Sequence, residues 1–162
     1  MLPNSIEELD AIRKECRHMA TKRAVMSSCA SLVPVPLADV TTDIALLMKV
    51  IPAISEKFGL SKDQIDEYKP NVSIAIYELI KKWGADMVGK YITKEIIIQL
   101  LKKMGIRITA KQAAKYVPIL GQAISVTISF TAMKLIIDKH INDCYKIVRE
   151  LIDLKTIEFR DS

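Results

Sequence analysis

Apolar residues recur at three- and four-residue steps along most of the chain, with polar positions between them, so helices rather than strands are the expected elements. Ile6, Leu9, Ile12, Cys16, Met19 and Ala20 form the first such series, and Ser5 and Glu8 stand in capping-box spacing at its start. A first helix is expected over 5–33. It ends at Pro34-Val35-Pro36, because a proline ring removes an amide donor and disfavours the helical region for the residue before it. A central apolar helix is expected over 37–59, with Asp39 in its first turn, Leu46, Leu47 and Val50 along it, Gly59 as its stop and Pro52 as a kink.

Intervening helices are expected over 61–116. Ser61 and Gln64 repeat the capping spacing and open a short acidic helix before Pro70. The next series starts near Asn71 and runs through Ile74, Ile76, Leu79, Ile80, Trp83, Met87 and Val88, then Ile96 to Leu101. It makes one bent helix or two, with Gly84 as the weak point and Gly105 as the stop. Thr109 and Gln112 announce a short helix before Pro118, and a long apolar helix is expected over 120–154.

Residues 124–131 alternate apolar and polar like a strand, but no second segment of that quality exists to pair with them, and an isolated strand leaves its backbone donors unsatisfied. The segment is therefore read as helical. It lies in the longest uncharged run, the 18 residues from Tyr116 to Met133. That is the lower end of a membrane-spanning length, and a buried bundle helix is the preferred reading. The expectation is an all-α, single-domain bundle over 1–162, with about five to seven helices and two central apolar helices that each follow a Val-Pro break.

Composition narrows the function more than the fold. Half of the residues are hydrophobic and 27% are charged, which excludes a disordered tail. The net charge of +5 is uneven: between positions 81 and 115 stand Lys81, Lys82, Lys90, Lys94, Lys102, Lys103, Arg107, Lys111 and Lys115, against Asp86 and Glu95 alone. This is the candidate basic surface: such an excess can attract phosphates of lipid headgroups or nucleic acid, and the plainer reading is a solvated helical face. On one ideal helix its lysines spread around the cylinder instead of forming a stripe. Only Trp83 and Tyr91 interleave with them, too few stacking aromatics for a nucleic-acid partner.

Cys16, Cys29 and Cys144 are odd in number without a CxxC spacing, and no signal peptide is recognisable at the start, so a reducing cytoplasm with membrane association as an option is expected. His140 and Cys144 share a helical face, and with Cys16 and His18 a four-ligand zinc set can be drawn; buried structural cysteines are the commoner outcome. Gly84 to Lys90 fits GxxxxGK, but Tyr91 replaces the Mg²⁺-binding Ser or Thr and no strand precedes Gly84, so nucleotide is not expected. Asp39 and Asp43, one turn apart, are read as a favourable charge at a helix start. No hydrolase or metalloprotease motif is present. No catalytic, cofactor-binding or metal residue is assigned, and an enzyme is not expected.

Ala30 to Val35 aligns with Ala114 to Ile119 at an offset of 84. The phrase Leu32-Val33-Pro34-Val35-Pro36-Leu37-Ala38-Asp39, with the later Val117-Pro118-Ile119-Leu120-Gly121, resembles the helical domain of YcjF-type bacterial proteins and of C-terminal regions attached to some Era-like GTPases. It is also similar to the helical part of immunity-related GTPases. Pro34, Pro36, Ala38, Asp39, Pro118 and Gly121 match the family motifs, while Leu37 and Ile119 stand where the family has glycine. The resemblance spans roughly 19–152 and implies an all-helical, often membrane-associated accessory domain, here without any GTPase domain. The expected function is a non-enzymatic interaction module, docking on a protein partner or lying peripherally on a membrane. The alternative is a pore-forming bacterial effector that inserts the apolar region 116–137.

Overall fold

The computed structural model describes residues 1–30, 41–104 and 130–158, and among them every regular element is a helix. Six helices lie among the described residues: α1 (Ile6–Ala30), α2 (Thr41–Lys57), α3 (Lys62–Glu67), α4 (Pro70–Trp83), α5 (Lys94–Lys103) and α6 (Phe130–Glu158). α6 is the spine, packing against α1, α2 and α4, while α2 also touches α1 and α5. The Val-Pro breaks, the repeat, the strand-like stretch up to Ser129, the helix before Pro118 and the Gly105 stop all fall outside the described residues.

Local chemistry sets the boundaries. Ser5 Oγ accepts from the Glu8 amide at 3.2 Å, as capping spacing predicts, but the Glu8 carboxylate reaches past Ser5 to the Asn4 amide at 2.9 Å. At Ser61 both halves of the box form, with Ser61 N donating to Gln64 Oε1 and Gln64 N donating to Ser61 Oγ. Pro70 sits in the first turn of α4, where its missing N–H costs nothing. α2 continues through Pro52 as one helix.

Gly59 ends α2 in a paired reverse turn. Its amide donates to the Glu56 carbonyl at 3.1 Å and the next amide, of Leu60, reaches back to the Ser55 carbonyl at 2.8 Å. That closure needs φ of +73° at Gly59, and a Cβ there would stand 2.8 Å from the Met1 carbonyl carbon and oxygen. Glycine is thus required twice, for conformation and for the seat of the N-terminal segment, whose Leu2 is buried. Gly84 closes α4 the same way, with Ala85 N donating to the Ile80 carbonyl at 3.0 Å. The apolar series from Ile74 to Leu101 therefore makes two helices, separated by a connector that buries Ala85, Met87, Val88 and Gly89.

The core is the meeting of helical stripes: Leu9, Cys16 and Ala20 from α1; Ile44, Leu47, Ile51 and Ile54 from α2, with Phe58 just past its end; Ile76 and Leu79 from α4; Ile97 and Leu101 from α5. α6 supplies a stripe two residues wide, Met133, Ile136, Ile137, Ile141, Cys144, Ile147, Val148 and Leu151. Truncating any fully buried leucine among these to alanine costs about 2–5 kcal/mol. α6 extends to Glu158, four residues beyond the expected end, because neither Gly nor Pro interrupts it there.

Candidate functional site

The break at Gly84 changes where the lysines point. Lys81 and Lys82 occupy the last turn of α4, Lys90 the connector, Lys94 the first position of α5, and Lys102 and Lys103 its last turn. A single-helix wheel, on which they scatter, does not apply. Arg107, Lys111 and Lys115 lie outside the described residues. Lys103 Nζ donates to Asp86 Oδ2 at 2.9 Å. That bond holds the Asp86 carboxyl below its usual range, and the positive charges of Lys103, Lys90 and α6 Lys139 act the same way. Asp86, Met87, Lys90, Ile96, Gln99, Leu100 and Lys103 line a shallow open depression of about 110 Å³. Lys139 is itself bonded to Asp143 at 2.6 Å. Lys81, Lys90, Lys94 and Lys102 form no ion pair among the described residues.

A second group lies between the end of α4 and α6. Trp83 Nε1 donates to Glu150 Oε2 at 2.9 Å and Lys82 Nζ to Glu150 Oε1 at 2.5 Å. Lys82 and Lys146 Nζ stand 5.5 Å and 5.0 Å from the Trp83 ring centre. The Lys82 bond holds the Glu150 carboxyl below its usual range. Nevertheless the indole remains 41% exposed.

No protein-family model, curated protein or solved structure matches the chain. The residues that carry the resemblance to YcjF-type domains, Pro34, Pro36, Ala38, Asp39, Pro118 and Gly121, all lie outside the described part.

The third polar group is buried. Ser55 Oγ lies 2.9 Å from His140 Nε2, and Cys144 Sγ lies 3.7 Å from the same nitrogen. His140 Nδ1 has no hydrogen-bond partner, although the nearby Ile51 backbone offsets a little of the cost of charging the ring. Burial lowers the His140 pKa to about 4, lifts the Cys16 thiol to about 11 and pushes the Cys144 thiol well above its usual value. A neutral imidazole beside protonated, water-excluded thiols is neither a base in reach of substrate nor an activated nucleophile. Cys16 faces the core whereas His18 is exposed, so the four ligands drawn from the sequence do not meet. Among the described residues no group of three or more His, Cys, Asp or Glu is placed to hold a metal ion.

Gly84 to Lys90 does not form a phosphate-cradling loop. It follows α4 rather than a strand, and within it Asp86 N donates to the Gly84 carbonyl and Val88 N to that of Ala85. A Cβ on Gly89 would press on Ile65 and Ile80, so this glycine serves packing. The residues sequence reasoning missed are Ser55 as the His140 partner and Lys139, Lys146 and Glu150 on α6. The contact between Lys82 and Glu150 spans 68 positions, and no local pattern announces it.

Proposed function

We propose that the chain is a non-enzymatic helical interaction module that docks peripherally on an anionic membrane surface through the lysine-rich side formed by α4, the connector, α5 and α6. The observation that carries this reading is that Lys90 and Lys103 line one depression with Asp86, whose carboxyl also feels the Lys139 charge, while Lys82 and Lys146 both stand over Trp83 and Lys82 bonds Glu150. Cations from four segments outnumber the carboxylates between them. Each basic residue near an anionic leaflet contributes about 1 kcal/mol, so a handful of lysines suffices for reversible binding. Among the described residues no helix is long and apolar enough to cross a membrane, which favours docking on the surface over spanning within this part.

Co-sedimentation with vesicles of phosphatidylcholine, with and without phosphatidylserine, tests the proposal. Binding is expected only with the anionic lipid, and it is expected to be released as salt rises from about 0.1 M to about 1 M, where the Debye length shrinks from about 10 Å to about 3 Å. Lys90→Glu with Lys102→Glu is expected to weaken it by about 2–4 kcal/mol. Equal binding to neutral vesicles, or none to either, overturns the docking reading. Salt-resistant binding with dye leakage overturns it in favour of the alternative, a pore-forming effector that inserts 116–137, since burial in hydrocarbon is not screened by ions.

A further inference from the structure

The group around Glu150 has an arrangement that the docking reading does not need. An indole N–H and an ammonium converge on the two oxygens of one carboxylate, and a second ammonium lies over the same indole ring. Two donors bound to one carboxylate, with a further cation beside them on the indole face, form a setting that a pair of phosphate oxygens satisfies as well as a carboxylate does. We propose that Trp83, Lys82 and Lys146 form a seat for a single lipid phosphate, and that Glu150 occupies this seat until the membrane displaces it. The proposal rests on the docking reading and adds the contact point and a built-in competitor.

Two observations favour a lipid headgroup over a phosphate free in solution. Trp83 is the only tryptophan of the chain, and with 41% of its surface exposed it presents an apolar ring beside cations. Leu154, one helical turn beyond Glu150 on α6, is 44% exposed. Exposed aromatic and aliphatic surface next to lysines suits the boundary between headgroups and acyl chains, where an indole keeps its ring in the apolar layer and its N–H on a polar partner. A soluble phosphate gives the two apolar groups nothing to contact. An anionic leaflet repels Glu150 while supplying the replacement acceptor, so the swap exchanges one set of charge-assisted bonds for another.

The test uses the full chain and its single tryptophan as reporter. With phosphatidylcholine/phosphatidylserine vesicles, Trp83 emission is expected to shift to the blue and to be quenched by a nitroxide placed near the headgroup. Glu150→Gln keeps the size and an acceptor oxygen but removes the competing charge, and it is expected to tighten binding about fivefold. Glu67→Gln, which removes an exposed charge on α3 far from the seat, controls for general electrostatics and is expected to change affinity less. In a Lys82→Ala, Trp83→Phe background the gain from Glu150→Gln is expected to vanish, the non-additivity of groups that act on one ligand. Melting curves establish that each variant is folded. Vesicle binding with unchanged Trp83 emission, or equal gains from Glu150→Gln and Glu67→Gln, overturns the seat and leaves docking intact. Absence of binding to anionic vesicles overturns both.

Discussion

His140 offers the sharpest prediction about the core. It lies on α6, fully buried between Ser55 of α2 and Cys144, with Cys16 of α1 close enough to influence that thiol. Its pKa of about 4, against 6.5 for the free side chain, results chiefly from burial, reinforced by the Lys139 ammonium. Because the folded pKa is depressed, the unfolded chain takes up the proton first. Stability is therefore complete above about pH 6.5 and falls as pH drops towards about 4. The loss is about 2 kcal/mol at about pH 5 and levels off near about 3 kcal/mol below about pH 4, a large fraction of the stability of a domain this size. Urea unfolding followed by circular dichroism across this window measures it. The partner experiment replaces both members of the hydrogen bond, Ser55→Ala with His140→Leu, so that no buried polar group is left alone and stability at neutral pH stays within about 1–2 kcal/mol. In this variant the slope between about pH 6.5 and about pH 4 is expected to disappear. The carboxylates held low by lysines, Asp66, Asp86 and Glu150, lose their contributions in the ordinary carboxylate range at the acid edge of the window, and they are common to both proteins. A flat wild-type profile, or a variant that keeps the slope, refutes the reasoning.

Two glycines make a matched pair. Gly59→Ala is expected to cost about 2–4 kcal/mol, combining left-handed strain with the collision against the Met1 and Leu2 backbone, whereas Gly84→Ala, left-handed but with nothing within 4 Å, is expected to cost only about 1–2 kcal/mol; urea midpoints compare them. In a Cys29→Ser variant, Cys16 and Cys144 are expected to resist an aromatic disulfide reagent at neutral pH until the protein unfolds, since both are buried and their thiols are raised; rapid labelling of the native state contradicts that.

What the sequence revealed was local. The box at Ser61 and Gln64, the stop at Gly59 and the weak point at Gly84 depend on residues within five positions of each other, and each stands where periodicity placed it. The helical stripe of α6 was likewise legible, and with it the shared face of His140 and Cys144. The partner of His140 was not: Ser55 lies 85 positions away and is an ordinary polar residue within an apolar helix. The lysine side was half legible for the same reason. Its charge excess between 81 and 103 is a matter of counting, but the wheel that scattered those lysines assumed a continuous helix, and the positions of Lys139 and Lys146 beside them follow from how α6 crosses α4.

The central place of α6 also orders events in time. A ribosome delivers α1 first and α6 last, yet α1, α2 and α4 all bury their stripes against α6. The hydrogen bond from Arg13 to Asn142 joins positions 129 apart. At about 5–20 residues per second, the stretch from residue 104 to residue 152 takes roughly 2–10 s to synthesise. Throughout that interval α1, α2 and α4 lack the α6 surface they pack against in the finished protein, so the nascent chain presents adhesive helical faces to whatever is nearby. Closure of the core is a late step that waits for α6, and the seconds before it are when a holding chaperone has most to bind.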